Sequence, residues 1–422
     1  MPTPPPSKSW FRRVTGALGP GVITGAADDD PSGVATYSIV GAQFGTGLLW
    51  TALLTWPLMA AVQMMCARIG MVTGEGLAAA LRKKIPRPVL VAGCFALLAA
   101  NTINIGADLA GMADAAGMVT GINSHVFVIF FGLGITVATV RLRYAKLAGG
   151  LKWLALVLFV YVACALYIGP DWRSVARATF VPQMPAGREA WAALVAILGT
   201  TISPYLFFWQ ASQEVEEEKV LGRETLLQRS GATPEELANR RLDVGVGTCF
   251  SNLVMYFIIL STALTLNRHG VTHVETSRQV ALALRPLAGR VAEGLYTLGI
   301  LGVGLLAIPT LAGSAAYAFA ETYGWQQGLD MKLRRAKSFY AILILATAAG
   351  AALDFAHVSA VKALFWTAVI NGLLAPVLLV GVLIAASDTV LMRGQESSKG
   401  SRLLVGATVV AMSAAGIAMF VL

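Results

Sequence analysis

The stretch GPGVITGAADDDPSGVATYSIVGAQFG, residues 19–45, places three aspartates and a proline in the middle of an apolar, glycine-rich segment. Pro31 removes a backbone donor and clashes with the preceding helical turn, so we expect two half-helices joined by an extended segment. If they faced lipid, Asp28, Asp29 and Asp30 would cost about 8 to 10 kcal/mol, at about 2.5 to 3.5 kcal/mol each. They must therefore face protein, water or a cation, unless the triplet is an interfacial cap and the span begins later.

The rest of the chain is also strongly apolar. Of its 422 residues, 56% are hydrophobic and 13% are charged, against about 45 to 50% and about 25% in an average soluble domain. This composition excludes an ordinary soluble domain and predicts an all-α polytopic membrane protein. Eleven hydrophobic segments are predicted, at about 15–45, 47–68, 88–119, 124–141, 152–170, 189–212, 243–266, 290–320, 337–354, 361–386 and 402–422.

The positive charge follows the loops between these segments. The net charge is +9, and most of the 32 lysines and arginines fall in alternate loops. Under the positive-inside rule this pattern places the N-terminus in the cytoplasm and, for an odd number of spans, the C-terminus outside. The basic charge is thereby explained by topology, and we expect no nucleic-acid partner.

A second segment is interrupted in the same way. Residues 191–218 read WAALVAILGTTISPYLFFWQASQEVEEE, with Gly199, Thr200, Ser203 and Pro204 in the middle. The two interruptions lie in the first and the sixth segments, five positions apart in the order of spans, which is the spacing that an inverted repeat of five plus five helices produces. In transporters built this way the unwound parts of the corresponding helices meet at the bilayer midplane and hold the substrate.

Several stretches together resemble one family, the Nramp divalent-metal transporters, which have the LeuT fold. The segment GPGVITGAADDDPSG resembles the Asp-Pro-Gly-Asn segment of that family's first helix, and the likeness runs from about residue 15 to 385. Four further stretches are similar in order: ARIGMVTGEGLAAALRKKIP, GADLAGMADAAG, DWRSVARATFVPQ and LGILGVGLLAIPTLAGSAAYAFAE.

The resemblance implies the architecture and the cellular location. We expect a LeuT-type fold of two inverted five-helix repeats plus one extra helix, with eleven spans, in a bacterial inner membrane. The implied division is a cytoplasmic tail at 1–14, a first repeat at 15–170, an extracellular loop at 171–188, a second repeat at 189–386, and a cytoplasmic loop with the eleventh helix at 387–422.

The resemblance also implies a substrate site with altered residues. The family's metal-binding aspartate matches Asp30, while its asparagine falls on Gly33. Its Met-Pro-His sequence in the sixth helix falls on Ser203, Pro204 and Tyr205, and its carbonyl ligand falls on Thr200.

The third helix departs from the family in a second way. Asp108 matches an acid that the family associates with proton movement. One turn later, where the family has a glutamate, this chain has Gly111, which puts the usual proton coupling in doubt. Asp108 is a second functional acid or pairs with a basic residue or backbone donor inside the bundle.

The exchanged residues change the metal that the site suits. The family's thioether favours soft transition metals, whereas carboxylates, a hydroxyl, a carbonyl and water favour hard cations such as Mg²⁺ or Mn²⁺. We therefore hypothesise a metal site made of Asp30, Asp28, the Thr200 carbonyl and Ser203. The predicted substrate pathway adds Asp29, Gly33, Tyr205, Asp108, Asn371 and Glu214.

Three of these residues have simpler explanations. Asp29 is the least favoured ligand, because three adjacent carboxylates cannot all point into one cavity. Asn371 suits a helix–helix hydrogen bond as well as a pathway. Glu214, in an acidic run, suits a solvated helix end as well as an exit for cations.

These observations predict a secondary transporter that moves a divalent cation and is not an enzyme, and the resemblance implies that it works by alternating access. We expect no resident cofactor, a metal ion and the lipid bilayer as partners, and a monomer. A transporter of a small organic cation or amine is the main alternative, because carboxylates beside aromatic rings also bind such cargo. An intramembrane aspartyl protease is a poor match, because the chain lacks the Gly-x-Gly-Asp sequence typical of that class. A sensor that keeps the fold without transporting the ion stays open.

Overall fold

The computed structural model describes residues 20–142, 150–151, 153–354 and 359–422. The predicted cytoplasmic tail at 1–14 lies outside these residues. The helices of the first half are α1 (Pro20–Asp28), α2 (Pro31–Phe44), α3 (Thr51–Thr73), α4 (Leu77–Leu81), α5 (Arg87–Thr120), α6 (Ser124–Arg141), α7 (Phe159–Ile168) and α8 (Trp172–Phe180). Those of the second half are α9 (Arg188–Thr201), α10 (Pro204–Val220), α11 (Leu226–Arg229), α12 (Pro234–Thr265), α13 (Ser277–Ala281), α14 (Arg285–Ala288), α15 (Ala292–Tyr323), α16 (Lys337–Leu353), α17 (Ala360–Ser387) and α18 (Lys399–Val421).

The first predicted break is confirmed. α1 ends at Asp28 and α2 begins at Pro31, and Asp30 between them is extended, with φ −64° and ψ 171°. Pro31 occupies the first helical position, where its missing N–H is no loss because the first turn has no acceptor for it. Asp30 accepts a hydrogen bond from the Gly33 N–H, so the last aspartate of the triplet caps α2.

The second predicted break is confirmed as well. α9 ends at Thr201, and Ser203 is extended, with φ −74° and ψ 133°, before α10 begins at Pro204. Both interruptions therefore consist of an extended residue followed by a proline that opens the second half-helix.

Eight segments of the described chain are helical, apolar and long enough to cross a membrane: 51–73, 87–120, 124–141, 188–220, 234–269, 277–323, 360–387 and 399–421. Shorter apolar helices cover Trp153–Ile168 and Lys337–Leu353, and α1 with α2 forms the interrupted first segment. These agree in place with the eleven predicted segments, although the number of crossings stays a prediction. The long third segment, α5, is an unbroken helix of 34 residues.

Glycines hold α1 against α12. A Cβ atom added at Gly25 would lie 2.3 Å from the Gly247 carbonyl oxygen, and one added at Gly247 would lie 2.2 Å from the Gly21 carbonyl oxygen. The two backbones are therefore in direct contact, as small residues allow between membrane helices. Asp243 of α12 reinforces the contact, since its carboxylate accepts the Gly21 N–H at 2.8 Å and the Val22 N–H at 3.2 Å.

A second close contact joins α9 to α17. A Cβ atom added at Gly199 would lie 2.0 Å from the Ala368 carbonyl oxygen, and one added at Gly372 would lie 2.3 Å from the Val195 carbonyl oxygen. Each interrupted helix thus has one half fixed by backbone contact to an unbroken neighbour. At the start of α12, Thr233 and Glu236 form a reciprocal capping box.

Candidate functional site

The two breaks touch each other inside the bundle. A Cβ atom added at Gly33 would lie 3.1 Å from the Thr200 hydroxyl oxygen and 3.4 Å from the Asp28 carbonyl oxygen. The Tyr205 hydroxyl donates a hydrogen bond of 3.0 Å to the Ala27 carbonyl. The interrupted segments, which are far apart in the sequence, therefore converge on one place.

Asp30 is the most heavily hydrogen-bonded acid at this place. Its Oδ1 accepts from the Ser32 hydroxyl at 2.6 Å and from the Gly33 N–H at 2.8 Å, and its Oδ2 accepts from the Asn104 amide at 3.1 Å. A carboxylate has about four acceptor positions, so about one remains for a further partner. These donors favour the ionised carboxylate and fix its direction.

Asp28 and Asp29 share one donor on α12. The Ser251 hydroxyl lies 2.6 Å from Asp28 Oδ2 and 3.1 Å from Asp29 Oδ1, and its single proton can serve only one of them at a time. Within the described chain, Asp28 Oδ1 and Asp29 Oδ2 are buried and have no hydrogen-bond partner. Buried carboxylates with unmet hydrogen bonds are costly, so a cation or added protons would stabilise them.

Asp108 adds a fourth carboxylate from α5. It is fully buried, it lies within electrostatic range of Asp30, and neither of its oxygens has a hydrogen-bond partner among the described residues. The Ser32 backbone N–H acts on this carboxylate, so the alternative in which Asp108 pairs with a backbone donor stays open.

Two partners of the aspartates were missed by the sequence reasoning. Asn104 lies one helical turn before Asp108 on α5 and so shares its face, a spacing that could have indicated it. Ser251 belongs to an apolar stretch of α12, and its sequence neighbours do not indicate its contact with the triplet.

The second break contributes neutral oxygens. The Ser203 hydroxyl lies 2.8 Å from the carbonyl oxygens of both Gly199 and Thr200, and they share its single proton, so the lone pairs of its oxygen remain open. The Thr200 hydroxyl is buried and has no hydrogen-bond partner in the described chain. Among Asp28, Thr200 and Ser203 no side chain is more than 2% exposed, so this place is closed to solvent.

The acids do not converge into a ready-made cage. No group of three or more His, Cys, Asp or Glu side chains in the described residues is arranged to hold a metal ion. Any cation bound here would therefore take part of its shell from hydroxyls, carbonyls or retained water.

Two other predicted pathway residues, Asn371 and Glu214, lie on different helices. Asn371 of α17 is buried, its amide oxygen has no hydrogen-bond partner in the described chain, and its neighbour Gly372 contacts α9. Glu214 of α10 belongs to a separate cluster, in which it pairs with Arg240 at 2.8 Å and accepts from Gln210 at 2.7 Å.

The solvated helix end expected at Glu214 is wrong. Glu214 is 1% exposed, and Arg240 also pairs with Asp243 at 2.6 Å and with Glu217. The acidic run failed to predict this cluster because the neutralising arginine is on another helix, α12. One arginine therefore joins α10 to the residue that caps α1.

Replacement of Arg240 by glutamine should strongly destabilise the protein. It would leave Glu214, Glu217 and Asp243 without their cation, and breaking such a buried pair costs about 3 to 5 kcal/mol. Thermal unfolding in detergent measures the loss. The double variant R240Q/E214Q should recover part of it, and equal stability of wild type and R240Q would show that the cluster contributes nothing.

Comparison with known proteins places this arrangement in a family. The family model described as "Natural resistance-associated macrophage protein-like", or Nramp, matches residues 21–422. The chain belongs to the Nramp family. Nramp proteins are transporters rather than enzymes, and the predicted family membership is confirmed.

Nramp relatives and solved structures agree with this assignment. The divalent metal cation transporter MntH of Yersinia pestis is 26% identical over 314 residues, which cover 70% of this chain and 71% of the relative. A crystal structure of the Eremococcus coleocola manganese transporter superposes with a TM-score of 0.78 at 18% identity, covering 98% of this chain and 88% of that one.

The same Nramp chain also resembles transporters of other cargo in fold. Mhp1, a nucleobase-cation-symport-1 family transporter, superposes with a TM-score of 0.56 at 13% identity, covering 96% of this chain and 92% of its own. The predicted LeuT-type fold is confirmed.

Proposed function

We propose that the chain moves a divalent cation across the membrane by alternating access, and that it favours Mg²⁺ or Mn²⁺ over softer transition metals. The names of the relatives, a divalent metal cation transporter and a manganese transporter, support a divalent cargo. The single observation that carries the proposal is the set of four buried carboxylates, from Asp28, Asp29, Asp30 and Asp108, beside the contact between two broken helices.

The preference for a hard cation follows from the donor atoms. Asp30, Asp28, the Thr200 carbonyl and Ser203 supply oxygen only, and oxygen ligands suit Mg²⁺ and Mn²⁺. Asp30 is preorganised by three donors, while Asp28 and Asp108 have free oxygens that could turn to a cation. The carboxylates repel each other until a cation neutralises them, so we propose that they rearrange when the cation binds.

The pathway residues receive the following roles in the proposal. Asp29, Tyr205, Asp108 and Asn371 surround the path near the two breaks, and Glu214 lies further along α10. Gly33 lets the two breaks approach each other, because a side chain there would press against Thr200. We propose no dedicated proton coupling. The cation is cargo rather than a cofactor.

The location and orientation of the chain in the membrane are also part of what we propose. We infer an inner-membrane protein with a cytoplasmic N-terminus, an outer C-terminus and a monomeric state. The repeats are assigned to 15–170 and 189–386, separated by an outer loop at 171–188 and followed by 387–422. Apolar helices at the predicted places and the fold support this assignment.

An organic cation is the less favoured cargo. The Tyr205 hydroxyl is hydrogen-bonded to the Ala27 carbonyl, and Gly33 packs against Thr200. Because these contacts bring the breaks close together, the space between them suits an ion better than a bulky amine. Competition separates the two: Mn²⁺ or Mg²⁺ should saturate the site at concentrations where guanidinium and polyamines have no effect.

Calorimetric titration of the purified protein tests the function. Mg²⁺ and Mn²⁺ should bind wild type, Ni²⁺ should bind more weakly relative to Mn²⁺ than the usual affinity order predicts, and an Asp30→Ala variant should bind none of them. Vesicle flux with the same ions then separates a carrier from a sensor, because a sensor would bind without moving the ion. Equal binding by wild type and Asp30→Ala would refute the site.

A change at Ser203 should shift the metal preference. Ser203→Met adds a soft thioether, and we expect the affinity for Cd²⁺ relative to Mg²⁺ to rise at least about tenfold, the equivalent of one modest ligand contact. Ser203→Leu is the matched control, because it has similar size but no sulfur. If both variants show the same ratio as wild type, Ser203 does not face the cation.

A further inference from the structure

A basic cavity lies far from the two breaks, where α3, α12 and α18 approach one another. Its volume is about 700 Å³. We call it the basic groove and define it by its four cationic side chains, Arg68 of α3, Arg241 of α12, and Lys399 and Arg402 of α18.

The charge of the basic groove is poorly neutralised. No carboxylate in the described residues lies within ion-pair distance of any of the four cations. Arg68 and Arg241 lie close enough to repel each other, and Glu396 is the acid that faces Arg68. Four positive groups and one negative group around one cavity create a field that attracts anions.

The wall of the groove is held in place by hydrogen bonds. Gln395 makes two bonds with Ala232, one from its amide nitrogen at 3.0 Å and one to its amide oxygen at 3.2 Å. The Arg68 Nε donates to the Gln395 carbonyl at 2.8 Å, which directs the guanidinium along this wall. The loop between α17 and α18 is thus fixed to the start of α12 rather than free.

An unused hydroxyl donor also lines the groove. Ser397 is 2% exposed and its hydroxyl has no hydrogen-bond partner among the described residues, although its backbone N–H is bonded to Ala386. Burial of a hydroxyl without a partner costs free energy. An acceptor with several oxygens inside the groove would meet both the hydroxyl and the arginines, and phosphate groups supply such oxygens.

The position of the groove favours a lipid as the source of that phosphate. Leu403, next to Arg402 on the apolar helix α18, is 75% exposed and so faces lipid in a membrane. The four cations therefore lie at the end of a spanning helix, at the level where the hydrocarbon region gives way to headgroups. Basic pockets at this level bind anionic headgroups.

We propose that the basic groove is a binding site for the phosphate group of an anionic phospholipid, held by Arg68, Arg241, Arg402 and the Ser397 hydroxyl. Neither the cargo site nor the family assignment requires it.

Lipid binding to the purified full chain tests the proposal. Nanodiscs or detergent micelles are titrated with phosphatidylglycerol or phosphatidylcholine, and retained lipid is measured by native mass spectrometry. Phosphatidylglycerol should be retained in preference to phosphatidylcholine. R241Q/R402Q should weaken that retention about 25-fold, at about fivefold for each basic residue near the headgroups. R334Q/R335Q removes the same charge from an exposed loop outside the groove and should leave it unchanged.

Inorganic phosphate, titrated calorimetrically in a zwitterionic detergent, distinguishes the two sources of the group. Phosphate that binds in an arginine-dependent way and is displaced by phosphatidylglycerol assigns the groove to the lipid. Arginine-dependent phosphate binding that the lipid does not displace would overturn the lipid assignment in favour of a soluble anion. Equal retention of both lipids, or equal loss in the groove and control variants, would overturn the proposal altogether.

Discussion

Replacement of Asp30 by asparagine should lower Mn²⁺ or Mg²⁺ uptake into proteoliposomes at least about 100-fold, since removing one charge from a buried ionic contact costs about 3 to 5 kcal/mol. Asparagine is as good a helix cap as aspartate. The hydrogen bond from the Gly33 N–H that begins α2 should therefore persist, while the negative charge and the bond that the second oxygen accepts from Asn104 are lost.

The control for this variant is a second capping aspartate far from the site. Asp171 caps α8, is exposed, and accepts from the Arg173 N–H at 3.1 Å and the Ser174 hydroxyl at 2.6 Å. Asp171→Asn makes the same chemical change at a helix start and should transport like wild type. Uptake by Asp30→Asn within a few-fold of wild type, measured on equal amounts of folded protein, would show that Asp30 serves the helix and not the cation.

Replacement of Gly247 by alanine should destabilise the protein and reduce transport together. The added methyl group would lie 2.2 Å from the Gly21 carbonyl oxygen, which is backbone and cannot rotate away. Overpacking of this kind costs about 1 to 3 kcal/mol. Because α1 ends at Asp28, its displacement would also move the acids beside the first break.

Gly245 provides the matched control on the same helix. A Cβ atom added there meets nothing within 4 Å, so Gly245→Ala should keep or slightly raise the thermal unfolding temperature. The gain reflects the helix propensity of alanine, about 0.5 to 1 kcal/mol over glycine. Equal unfolding temperatures for the two variants would show that the contact between α1 and α12 is looser than the geometry indicates.

The breaks could be predicted because their causes are local. Pro31 and Pro204 lack an N–H and restrict the residue before them, so the interruption is determined by a few neighbouring residues. Even the capping role of Asp30 is readable in Asp-Pro-Ser-Gly, because aspartate before a proline at the first helical position is a common helix start.

The partners of the acids could not be predicted in the same way. Ser251 and Asn104 reach the aspartates only after distant helices have packed, and neither lies near them in the sequence. The interpretation of Glu214 failed for the same reason, since its charge is balanced by Arg240, which is 26 positions later and on another helix. Local chemistry fixes where a helix stops, whereas pairing depends on which surfaces meet.

The bonds between α1 and α12 have a mechanical consequence. Asp243 holds the beginning of α1, the glycines hold its middle, and Ser251 holds the aspartates at its end. α1 is thus attached to α12 along its whole length, and a tilt of α12 would move the two helices together as one rigid body. The extended residue Asp30 would then act as the hinge, so that the opening of a path beside α1 and the release of a cation from the proposed site would be one motion rather than two.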